Sequence, residues 1–108
     1  MQTHKQIEAC ILSMPETRLE YPFGQDVAVY KHGDKMFALI QEGTTPIHLS
    51  LKCDPGLALT LREKYETVLP GYHLNKKHWN TIICSGQLGN EEILDLIRHS
   101  YELVSTGL

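Results

Sequence analysis

Apolar residues recur along this chain with two different periods. Near the N-terminus Ile7, Cys10, Ile11 and Met14 follow at i, i+3, i+4 and i+7, which is one face of a helix that Pro15 ends. "YPFG", residues 21–24, then reads as a turn with two aromatics. From Val27 to Gln41 the pattern is that of a β-hairpin. Its two β-rich arms meet at Gly33-Asp34, a two-residue loop suited to a primed turn. "TPIHLSLK", residues 45–52, alternates strictly: Ile47, Leu49 and Leu51 face one way, His48 and Ser50 the other. The helical period returns after Asp54, an N-cap residue followed by Pro55 at the first helical position, with Leu57, Leu61 and Tyr65 on one face. Two extended pieces around a polar tip follow within residues 67–86. A last helix is capped by Asn90, has Glu91 and Glu92 at its positive end, and buries Ile93, Ile97, Tyr101 and Val104.

The predicted order is therefore α-β-β-β-α-β-β-α over a single domain, residues 1–108. Strands joined by short turns pair antiparallel. Helices at both ends predict an α+β two-layer sandwich, an antiparallel sheet with the helices packed on one face. A length of 108 residues supports one modest core. With 42% hydrophobic and 21% charged residues this is the composition of a globule, not of a disordered chain. No apolar run is long enough for a membrane span, and the first residues carry no secretory signal, so a cytoplasmic protein without a membrane partner is expected.

Charge narrows the function classes. The net charge of -3 speaks against a strongly cationic nucleic-acid surface. The acidic excess sits at the end, however: residues 85–108 hold four acidic residues and one basic. The middle of the chain can still present a basic edge. Cys10, Cys53 and Cys84 are odd in number and widely spaced, which argues against a disulfide framework or a zinc knuckle and for buried reduced thiols.

The densest chemistry is "PGYHLNKKHWNT", residues 70–81. His73 and His78 have no carboxylate nearby in sequence, so no metal or other cofactor is expected. A histidine, asparagine and cysteine can form a nucleophilic triad, but Cys84 follows Ile82 and Ile83 in an apolar strand, and no phosphate loop, GxSxG or HExxH occurs. We expect no enzyme. One remaining reading is a structural corner: Pro70-Gly71 turns the chain, Trp79 packs on the sheet, and the asparagines and histidines bond nearby backbone. The other is a nucleic-acid contact. Lys76 and Lys77 at a hairpin tip can neutralise phosphates, and Asn75, Asn80 and the histidines can meet phosphates or base edges. Lys31, His32 and Lys35 surround the Gly33-Asp34 tip and make a second candidate wing.

The chain resembles the MmcQ/YjbR-like family of small bacterial proteins. The resemblance lies in "YPFG" at 21–24, "YKHGDKMFALI" at 30–40, "LSLKCDP" at 49–55, "LREKY" at 61–65, "PGYHLNKKHWNT" at 70–81 and "SYELV" at 100–104. It implies a compact α+β sandwich similar to the secretion-chaperone and CyaY-like folds. It also implies binding of double-stranded DNA through a double wing, with wing positions at His73, Asn75, Lys76, Lys77, His78 and Trp79 and a looser match at Lys31 and Lys35. The chaperone-like side of the resemblance keeps a second class open, a protein-interaction module that is a monomer or weak homodimer with Tyr21 and Phe23 in an apolar patch. A third is a small-molecule site between sheet and helices, lined by His73, His78 and Trp79.

Overall fold

The computed structural model describes residues 3–71 and 74–105. Local signals build the helices. Helix α1 (His4–Leu12) is closed by a capping box: the Thr3 hydroxyl accepts from Gln6 N–H at 3.2 Å, and Gln6 Oε1 accepts from Thr3 N–H at 3.0 Å. Helix α2 (Pro55–Lys64) starts as the sequence predicts, with Asp54 Oδ2 accepting from Gly56 and Leu57 N–H and Pro55 at the start of the helix. In helix α3 (Asn90–Ser105) Asn90 is the first helical residue, and the first bond runs from Ile93 N–H to the Gly89 carbonyl.

Six strands form one antiparallel sheet in the order β1-β2-β3-β4-β6-β5. They are β1 (Thr17–Glu20), β2 (Val27–His32), β3 (Lys35–Gln41), β4 (His48–Lys52), β5 (Val68–Pro70) and β6 (Trp79–Ile83). The α+β sandwich stands, but its order is α-β-β-β-β-α-β-β-α. Strand β1 is absent from the expected order because its four residues hold one apolar side chain, too little for a period to show. It forms by pairing with β2, Thr17 opposite His32 and Glu20 opposite Val29.

Alternation sorts the two faces. Ala28, Tyr30, Ala38, Ile40, Leu49 and Leu51 turn towards Ile7, Ile11, Ile93, Ile97 and Val104 of the helices, and this is the main core. Ser100 interrupts the buried stripe of α3 for a reason. Its hydroxyl accepts from Lys52 N–H at 2.9 Å and donates to the Phe37 carbonyl, bridging β4 and β3 just past their last direct pair. Among the described residues the opposite face carries no helix. There Val29, Leu39 and Trp79 form a second, smaller cluster with Met36 and Leu74 against it. No helix among the described residues is long and apolar enough to cross a membrane.

Candidate functional site

The register sends two loops out of the same end of the sheet. Hairpin β2–β3 turns at Gly33-Asp34, with His32 opposite Lys35 and Gly33 at φ +60°. A positive φ at the first central position alone is the type II′ turn that glycine permits. Leu51 at the far end of β4 pairs with Ala38 near the start of β3, and Lys52 pairs with Trp79 at the start of β6. The segment joining β5 to β6 therefore emerges beside the β2–β3 tip, separated by three strand spacings, about 14 Å.

The second apex is built as a corner. Gly71 N–H donates to the Trp79 carbonyl at 2.9 Å, so close that a Cβ on Gly71 would lie 2.6 Å from Trp79 Cβ. Asn75 Oδ1 accepts from Lys77 N–H at 3.0 Å, an Asx turn, and His78 N–H donates to the Asn75 carbonyl. Arg62 of α2 reaches in from the helix side. Its guanidinium donates to Asn80 Oδ1 at 2.6 Å, to the Trp79 carbonyl at 3.0 Å and to the Lys76 carbonyl. Asn80, 2% exposed, in turn donates to the Ala58 carbonyl.

The predicted contact residues divide accordingly. Lys35, Asn75, Lys76 and Lys77 are exposed, and His78 is half-buried. His73 lies outside the described residues. Trp79 is only 7% exposed and packs on Val29 and Leu39, so it supports the apex instead of touching a partner. Lys31 is not a free cation: its Nζ lies 3.1 Å from Glu20, which also accepts from Arg18 at 2.7 Å. Those two bonds hold the Glu20 carboxyl below its ordinary pKa. The first tip is further diluted by Asp34, whose carboxylate stands 3.6 Å from Arg18.

The expected lining does not gather between sheet and helices: Trp79 lies on the other face with Val29 and Leu39, and His73 lies outside the described residues. The gap in that layer near Leu51, Cys53 and Asn80 is about 10 Å³. The sizeable concavity, about 720 Å³, lies on the helix-free face, with Leu39, His48, Ser50 and Thr81 in its floor and Phe23 and Leu69 on opposite sides. Ser50 and Thr81 share a hydrogen bond of 2.8 Å across β4 and β6.

The thiols are not poised as nucleophiles. Cys53 and Cys84 are 4% and 3% exposed, and burial pushes both up to about 11, helped at Cys53 by the neighbouring Asp54 carboxylate. Among the described residues no three His, Cys, Asp or Glu side chains converge as a metal site.

Known proteins match this architecture. The family model described as YjbR matches residues 12–103. The uncharacterized protein YbdF of Escherichia coli O157:H7 is 35% identical over 105 residues, 97% of this chain and 86% of its own. The crystal structure of Deinococcus radiodurans protein DR2400, domain DUF419, superposes with a TM-score of 0.94 at 36% identity, covering 99% of this chain and 81% of its own. A crystal structure from Pseudomonas syringae gives a TM-score of 0.80 at 32% identity, with 94% and 98% covered.

Proposed function

The chain belongs to the MmcQ/YjbR-like family, and from there we propose that it is a non-catalytic DNA-binding protein whose two loop apices meet a duplex. One observation supports this above the others: the strand register brings both loops out of one end of the sheet, with Lys35, Lys76 and Lys77 all exposed. A lateral spacing of about 14 Å between the loops is comparable with the width of a major groove, roughly 12 Å. Lys76 and Lys77 supply most of the attraction, because Lys35 shares its tip with Asp34. Asn75 and His78 add polar contacts, while Trp79 and Arg62 hold the apex in shape.

Three cations give a shallow salt dependence. At about -0.9 per neutralised phosphate, the slope of log K against log salt is about -2.7. Fluorescence polarisation with a labelled duplex between low and moderate salt measures it. Lys76→Ala/Lys77→Ala reduces the slope by about 2 and weakens binding to all sequences alike. Equal binding by wild type and the double variant, or no binding by either at low salt, refutes the reading.

A further inference from the structure

We propose that the helix-free face of the sheet holds a second binding site, for a small, uncharged, mostly apolar molecule lodged in the trough between Phe23 and Leu69. Size is the first argument. A volume of about 720 Å³ falls within the range of pockets that enclose one drug-sized ligand, about 300–1,000 Å³. The chemistry of the lining is the second. No lysine, arginine, aspartate or glutamate lines the trough among the described residues, so nothing there would compensate a charged ligand for losing water. The exposed Phe23 and Leu69, 63% and 43% accessible, gain burial when the trough is filled.

Shape and hydrogen bonding exclude the larger occupants. A two-fold dimer would lay concavity on concavity and leave a void between the copies. An extended peptide would bring a row of backbone donors and acceptors onto this face. The central strands β3, β4 and β6 are paired on both sides, so they have no backbone groups to offer upward. Among the described residues only a few side chains can pair with an occupant, among them the His48 imidazole and the Ser50 hydroxyl on β4. That set fits a molecule with an apolar body and one or two hydrogen-bonding groups. Among the described residues no lysine or arginine lines the trough, so the site stands or falls apart from the DNA reading.

N-Phenyl-1-naphthylamine is a suitable probe: uncharged, apolar, with one N–H, and dim in water but bright in apolar surroundings. Titrating the protein into the probe should raise and blue-shift its emission, with a dissociation constant on the order of 100 μM or tighter. In two-dimensional amide spectra the shifts should centre on Leu39, His48, Ser50 and Thr81. Ser50→Phe, which fills the floor, should weaken binding at least five-fold, and Lys76→Ala/Lys77→Ala should leave it unchanged. Leu69→Glu, at an exposed position on the edge strand β5, gives the same discrimination if Ser50→Phe fails to fold. No rise in emission, shifts centred on the helix layer, or equal binding by a folded Ser50→Phe or Leu69→Glu variant would overturn the proposal.

Discussion

Arg62→Ala tests how the apex that bears Lys76 and Lys77 is held. The side chain serves three acceptors, but they are not equivalent. The Trp79 carbonyl keeps its bond from Gly71 N–H at 2.9 Å, and Lys76 is exposed, so water replaces Arg62 at its carbonyl. Asn80 Oδ1 is different: it belongs to a residue 2% exposed and loses its 2.6 Å donor. A buried acceptor left unpaired costs about 1–3 kcal/mol, and the two other bonds together add about 1 kcal/mol. The expected loss is therefore about 3 kcal/mol. For a domain of this size that lowers Tm by about 13 °C, or moves the urea midpoint at unchanged slope. Asn80→Ala removes the acceptor, so the double variant should lose less than the sum of the singles, with a coupling of about 1–2 kcal/mol. A cost below about 0.5 kcal/mol for Arg62→Ala, or a cycle that closes additively within about 0.3 kcal/mol, refutes the account.

Gly71→Ala forces a Cβ to 2.6 Å from Trp79 Cβ and should cost about 1–3 kcal/mol in chemical denaturation, with the Trp79 emission altered in the native state. Ser100→Ala leaves Lys52 N–H and the Phe37 carbonyl without their bridge and should lower stability by about 2 kcal/mol in the same assay, whereas Ser105→Ala should change little. The alkaline limb of stability should reflect the thiols. Because folding raises Cys53 and Cys84 from about 9 to about 11, their contribution is whole below pH 9 and is lost as pH rises towards 11. Cys53→Ala/Cys84→Ala should flatten the fall in ΔG over that window; an unchanged pH profile refutes the assignment.

What was legible in the sequence is what neighbours in the chain decide. Asp54 and Pro55 start α2 with atoms two and three residues away. Gly33 makes its turn alone, and the α3 stripe is a repeat of side chains on one helix. The parts that escaped depend on distant partners. Strand β1 exists only beside β2, and without it the pairing of Lys31 with Glu20 cannot be foreseen. Arg62 and Ser100 did leave a trace: each is a polar residue on the buried side of its helix, four residues after Ala58 and three after Ile97. A polar residue in such a place needs a partner, and both have one. The trough left none. Its lining comes from five strands, the 21–24 loop region and Leu74 between β5 and β6, and alternation alone does not say which face the helices will cover.

The position of Trp79 has a practical use. It is the only indole in the chain, and it begins the strand that follows the lysine apex, in a cluster with Leu39 and beside Leu74, both of which line the apolar hollow. Its emission colour, lifetime and quenching by iodide thus report on either region without an attached dye. An acrylamide titration read beside an iodide titration would distinguish a change in local charge from a change in access, giving the protein an internal gauge of which surface a candidate compound has reached.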